Sequence, residues 1–148
     1  MTEHPQLDLG NYLPYLLNRV GFALVESFGA ALKPHQLSID MWRVLAALSN
    51  NGGQRQVDLS GMTAIDVSTM SRLVGRLVRM GLVTRSRSEK SSREVVVALS
   101  GKGRALVERL IPIAKELERT ASADIAAKDL AVAKRALRRM YDNLVRGR

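Results

Sequence analysis

The 148-residue sequence contains no cysteine, two histidines, and only one Trp, three Tyr and two Phe. Without cysteine there is no disulfide scaffold, no thiolate metal site and no thiol-based redox or peroxide sensor. With 46% of residues apolar but only 4% aromatic, the core must be aliphatic. No apolar run approaches the ~18 residues of a membrane-spanning helix. Residues 1–30 lack a basic start, a short apolar stretch and a small-residue cleavage site, so no secretion signal is expected and the chain reads as cytoplasmic. The two histidines are His4 and His35. No glycine-rich phosphate loop, metal-spaced cluster or nucleophile elbow accompanies them. Glu116 and Glu118 stand two residues apart on a predicted helix and so face different sides. No catalytic constellation emerges, and neither an enzyme nor a metal or cofactor is expected.

The chain is long enough for one domain with a real core, or a small domain with an appended helical part. Its net charge of +9 is unevenly spread. Residues 1–65 hold four Lys/Arg and five Asp/Glu, residues 66–104 nine and three, and residues 105–148 ten and six. A clustered excess of this kind is the footprint of a polyanionic partner. A solvated basic face would carry the same charge, so the motifs must decide.

Leu13, Leu16, Leu17, Val20, Leu24, Phe28 and Leu32 recur at spacings of three and four and predict one long helix. Pro34 stops it. Ser38 or Asp40 can cap a second helix holding Trp42, Val44, Leu45 and Leu48, which Asn50-Asn51-Gly52-Gly53 breaks. Gln56 to Met62 suits a short third helix. After a turn, Asp66 is the expected N-cap of a fourth.

That fourth helix has two faces. Met70, Leu73, Val74 and Leu77 share one; Ser68, Ser71, Arg72, Gly75, Arg76 and Arg79 share the other, with Thr69 beside them in the first turn. A helix entering the major groove of duplex DNA needs this pattern. Small hydroxyls and N-terminal amides approach phosphates, and arginines reach phosphates or guanine edges. Gly75, mid-helix, costs about 1 kcal/mol relative to Ala, and close approach to DNA is one reason it could be there. Leu82–Ser88 and Arg93–Leu99 then read as the strands of a hairpin, with Arg85, Arg87, Lys90 and Arg93 in and around its turn. A basic hairpin tip beside a recognition helix can enter the neighbouring minor groove, although charges also protect edge strands.

Two more helices follow. One starts at Ser100 or Gly101 and runs to about Ser122, with a kink expected at Pro112. The last carries an apolar seam of Leu130, Ala133, Leu137, Met140, Tyr141 and Leu144, with Arg135, Arg138 and Arg139 off it. A winged helix needs neither terminal extension, and dimerisation is the economical reason for both. A dimer places two recognition helices ~34 Å apart on DNA. The predicted fold is therefore mostly α with a small β-hairpin wing. It is one domain, with a winged helix-turn-helix lobe at 36–100 and dimerisation helices at 10–33 and 101–146.

Taken in order, these segments resemble the MarR-type transcriptional regulators. Tyr15-Leu-Leu-Asn-Arg-Val is similar to the family's first helix, and Leu37-Ser-Ile-Asp-Met-Trp-Arg-Val-Leu to its second. Val67-Ser-Thr-Met-Ser-Arg-Leu-Val-Gly-Arg-Leu-Val-Arg-Met-Gly-Leu-Val resembles the recognition helix and its exit, and Val95-Val-Val-Ala-Leu-Ser-Gly-Lys-Gly the last wing strand and the fifth helix. The resemblance implies an obligate homodimer, usually a repressor, that binds a pseudo-palindromic operator and is released from it by a small ligand. The alternative is a nucleoid-type DNA-binding protein without an effector.

In one respect the chain departs from the family, which often places an aspartate two residues before the wing-tip arginine to orient it. Here Ser91-Ser92-Arg93 keeps the arginine without the carboxylate, leaving Glu89 or Glu94 as substitutes. The resemblance also implies an effector pocket between the dimer helices and the DNA-binding lobe. In the matching helices Tyr12, Arg19, His35, Trp42 and Arg43 supply rings and positive charge, as an aromatic acid or its coenzyme A thioester would require. Each also has a plainer reading: Trp42 belongs in a core, and Arg19 in an ion pair with a residue such as Glu26 or Asp40.

Overall fold

A computed structural model describes residues 4–88, 90 and 93–147. A single 3-10 turn at Leu9–Asn11 precedes α1 (Leu13–Leu32), and another at Lys33–His35 follows it. Gln36, in the left-handed region at φ 57°, turns the chain into α2 (Ile39–Asn51). Ser38 provides the cap: its Oγ accepts from the Met41 N–H at 3.2 Å. Gly52, at φ 75°, ends α2. There follow β1 (Gln54–Arg55), α3 (Gln56–Thr63), α4 (Val67–Arg79), β2 (Val83–Arg87), β3 (Val95–Leu99), α5 (Gly101–Ala121) and α6 (Ala127–Arg146). Among the described residues no helix is long and apolar enough to cross a membrane.

The expected hairpin is part of a three-stranded antiparallel sheet in the order β1-β3-β2. In β2, Val83 to Arg87 pair with Leu99 to Val95, and in β1, Gln54 and Arg55 pair with Val97 and Val96. The two-residue β1 is too short to leave a period in the sequence. Pro112 lies inside α5 without ending it, so no break appears where a kink was expected.

The chain forms two compact units that divide within α5, between Ala114 and Lys115. The core of the first is aliphatic: Met41, Val44, Leu45, Leu59, Met70, Val74, Leu77 and Val97 are fully buried. Each such side chain contributes about 1.5–3 kcal/mol by leaving water. Phe28 and Leu32, at the end of α1, join this core, whereas Leu13, Leu16, Leu17 and Val20 are exposed. In the second unit Lys134 Nζ donates to Glu118 Oε1 at 2.6 Å, tying α6 to the end of α5, and Glu116 pairs with Arg119. The two glutamates thus serve separate ion pairs. Val132, Leu137, Tyr141, Leu144 and Val145 of α6 are exposed.

One junction joins α4, the hairpin and α5. Gly81, at φ 73°, ends α4 in a Schellman motif: its N–H donates to Val78 O at 2.9 Å and the Leu82 N–H to Leu77 O at 3.0 Å. The Leu82 carbonyl accepts from the Ser100 N–H at 3.0 Å. Ser100 Oγ donates to Gly81 O at 2.6 Å and accepts from the Gly103 N–H at 3.0 Å. A Cβ on Gly103 would lie 1.9 Å from Leu82 O, so only glycine permits this approach. Gly103→Ala should therefore destabilise the fold by about 2 kcal/mol or more. Gly101→Ala, whose Cβ would meet nothing within 4 Å, should not. Urea unfolding of the two variants checks this, and equal midpoints would contradict it.

Candidate nucleic-acid interface

The turn from α3 to α4 is made by Ala64 in the left-handed region (φ 56°), buried Ile65, and Asp66 at the N-cap. Asp66 does more than cap. Oδ1 accepts from the Thr69 N–H at 2.8 Å and from Ser68 Oγ at 2.7 Å, while Oδ2 accepts from Thr69 Oγ1 at 2.7 Å. These bonds, the backbone N–H of Thr69 first among them, hold the Asp66 carboxyl well below the usual aspartate range. They also commit the hydroxyl protons of Ser68 and Thr69 to the cap, leaving both oxygens as acceptors. Ser71, one position further on, is exposed and makes no hydrogen bond among the described residues.

As the sequence pattern predicts, Met70, Val74 and Leu77 are buried and Leu73 half-buried, while Ser68, Arg72, Arg76 and Arg79 face solvent. Arg72 Nη2 reaches Thr69 Oγ1 at 3.4 Å. No carboxylate pairs with Arg72, Arg76, Arg79, Arg85, Arg87 or Lys90 among the described residues. This run of exposed, uncompensated cations along α4 and β2 is what a polyanion surface needs. The structure also accounts for Gly75. A Cβ there would lie 3.6 Å from Arg79 Nη1 and 3.7 Å from Arg85 Nη2, so the bare backbone sits beneath two guanidinium groups, one from the helix and one from the hairpin.

The hairpin is braced from below. Arg55 donates from Nε and Nη2 to the two oxygens of Asp58 at 2.8 and 3.1 Å, and from Nη1 to Glu94 Oε1 at 2.8 Å. Glu94, proposed as a stand-in for the missing wing aspartate, thus engages β1. The other stand-in, Glu89, and Ser91 and Ser92 lie outside the described residues. Arg93 is exposed beside Glu94, and the Ser88 N–H donates to the Glu94 carbonyl at 2.8 Å to close the strand ends. The Lys90 N–H donates to Ser88 Oγ at 3.2 Å.

The residues expected around an effector do not converge. Trp42 is half-buried against Phe28, ring centroids 5.2 Å apart, in the core role that was the plainer alternative. Arg43 pairs with Asp40 at 2.9 Å. Arg19 lies 5.5 Å from the Tyr15 ring centroid and makes no ion pair with Glu26 or Asp40, because Tyr15 is one helical turn away on the same face of α1. Tyr12 is exposed at the start of α1. His35 alone of the five lines a cavity, beside Arg79, Lys102 and Arg109, three residues that the sequence pattern did not connect to an effector. Among the described residues no cluster of His, Asp and Glu could hold a metal ion.

A short helix, a tight turn, a helix with a cationic outer face and a basic hairpin define a winged helix-turn-helix DNA-binding protein. The chain belongs to the MarR family of transcriptional regulators, whose profile matches residues 37–95. The HTH-type transcriptional repressor Rv2887 of Mycobacterium tuberculosis is 32% identical over 132 residues, covering 89% of this chain and 92% of the relative. Among solved structures, Bordetella bronchiseptica BpsR, whose DNA binding is regulated by 6-hydroxynicotinic acid, superposes with a TM-score of 0.78 at 29% identity, covering 87% of this chain and 98% of its own. A MarR family regulator from Silicibacter pomeroyi gives a TM-score of 0.84 at 27% identity, covering 91% of each chain. The protein is a DNA-binding regulator and not an enzyme.

Two outcomes are expected of α4. A Cβ at position 75 makes only ordinary contacts, so Gly75→Ala should raise stability by up to about 1 kcal/mol, measured by thermal melting. Asp66 titrates lower in the folded than in the unfolded chain, so its stabilisation is complete above the ordinary aspartate value of about 3.9 and is lost as pH falls below it. The melting-temperature advantage of the protein over Asp66→Asn should shrink from pH about 5 to about 2. A difference independent of pH would contradict the role of the carboxylate.

Proposed function

We propose that the protein is a homodimeric repressor that holds a pseudo-palindromic operator and releases it when a small organic acid binds. The observation that carries the DNA-binding part is the outer face of α4. Ser71, Arg72, Arg76 and Arg79 stand exposed there, without a compensating carboxylate among the described residues. Arg72 and Arg76 read bases or clamp phosphates in the major groove. Ser68 and Thr69 fix the cap and lend it their oxygens. Arg85 and Arg87 meet the backbone, and Lys90 and Arg93 reach the adjacent minor groove. Arg55, Asp58 and Glu94 hold the hairpin at its root, so Arg93 is presented from a braced strand.

Support for the dimer comes from apolar surface that each unit leaves uncovered. Leu13, Leu16, Leu17, Val20 and Phe22 of α1 are exposed in the first unit, and Val132, Leu137, Tyr141, Leu144 and Val145 of α6 in the second. Helices with such faces are seldom left in water. The names of similar repressors favour repression, and BpsR is a similar chain whose DNA binding answers to an aromatic acid. The same reading places the protein in the cytoplasm.

An operator selected from random duplexes provides the test. A regulator should protect one or two discrete footprints, whereas a nucleoid-type protein would coat the duplex. Arg72→Ala and Arg76→Ala should each weaken operator binding by about 1–3 kcal/mol, roughly 5- to 150-fold. Arg93→Ala should also weaken it, and a gel-shift affinity unchanged within about twofold would remove the hairpin from the minor groove.

A further inference from the structure

Under the exit of α4 lies a cavity of about 460 Å³, a volume suited to a small ligand. It is built entirely within the first unit, from the turn after α1, the end of α4 and the start of α5. Arg79, Lys102 and Arg109 line it together with His35, and no acidic residue does. Among the described residues Arg79 and Arg109 have no ion-pair partner, and Lys102 Nζ spends one proton on the Met80 carbonyl at 3.0 Å. Met80, Leu82 and Leu106 give the cavity apolar walls, the last two buried. Positive groups gathered at a concave surface repel one another and attract an anion, while the apolar walls favour a ligand with a hydrocarbon body.

Arg79 makes the place more than a pocket. It lines this cavity, and its guanidinium also lies with that of Arg85 over Gly75 on the cationic face of α4. One side chain therefore borders both the cavity and the surface assigned above to DNA. A carboxylate in the cavity and a phosphate on the outside would draw on the same guanidinium.

We propose that this cavity binds a small organic acid, its carboxylate toward Arg79, Lys102 and Arg109 and its body against Met80, Leu82 and Leu106, and that Arg79 is the group for which ligand and DNA compete. The release mechanism rests on the operator-binding reading; the binding site itself does not.

Titration calorimetry with the full chain tests both parts. The probes are benzoate and 6-hydroxynicotinate, with benzamide as the neutral analogue and inorganic phosphate as the bare anion. The two carboxylates should bind saturably and benzamide should not. Arg109→Gln, checked for an unchanged melting temperature, should weaken carboxylate binding by about tenfold. No carboxylate binding at about 10 mM, where even a ~1 mM site would be filled, overturns the site. So does binding that Arg109→Gln and Lys102→Gln leave intact, and so does phosphate binding as tightly as benzoate. With operator present, benzoate should lower DNA affinity by about tenfold and operator should lower benzoate affinity by the same factor. The salt slope of DNA binding should fall by about 0.9 for each arginine withdrawn. In Arg79→Gln the operator complex should no longer respond to benzoate. A response equal to that of the unaltered protein overturns the competition. Failure to bind any selected duplex would instead overturn the repressor reading, and Arg109→Gln would still decide the site.

Discussion

The contact on which the rest of the molecule depends is the approach of Gly103 to the Leu82 carbonyl. Leu82 is the residue at which α4 has ended and the hairpin begins, and Gly103 lies in the first turn of α5. With no Cβ between them, the carbonyl accepts from Ser100 while Ser100 caps α5 and holds Gly81. Within the first unit the DNA-facing helix, the hairpin and the root of α5 meet at one point of backbone contact. Backbone groups have few conformations to choose among, so a joint of this kind transmits a displacement where flexible side chains would absorb it.

Charge is distributed by a simple rule. Cations that brace the fold have acidic partners, and cations facing the expected DNA surface do not. Arg55 forks between Asp58 and Glu94, and each carboxylate neutralises part of its charge. Arg72, Arg76 and Arg79 have no such partner among the described residues. Pairing them internally would have lowered the potential that attracts phosphate, and leaving them open makes the helix repel itself until a polyanion arrives. The Asp66 cap fits the same rule: its carboxylate stabilises the positive N-terminus of α4 and takes the protons of Ser68 and Thr69, leaving Ser71 as the hydroxyl able to donate outward.

Much of this was legible in the sequence because it is local. The two-faced period of α4, the caps at Ser38 and Asp66 and the stop at Gly81 each follow from residues within one helical turn of the feature they set. The two residues of β1 could not be read, since their strand character comes from pairing with Val96 and Val97 far along the chain. Nor could the need for glycine at 103, which depends on a carbonyl twenty-one positions away. Gly75 was visible as an oddity, but its setting beneath Arg79 and Arg85 appears only once helix and hairpin are packed. The residues expected around an effector were chosen for chemistry alone. The fold sends Arg43 to Asp40, Arg19 to Tyr15 and Trp42 to Phe28, and assembles a different group of cations around His35.

The scarcity of aromatic residues has an optical consequence. Trp42 is the sole tryptophan of the chain, and it rests, half-buried, on the Phe28 ring across the contact between α1 and α2. Intrinsic indole emission from this protein therefore originates at a single place, remote in sequence from the hairpin and from α4. Any change in its wavelength on adding DNA or an acid reports that the disturbance has travelled into the packing of the first helix, with no second fluorophore to confuse the signal.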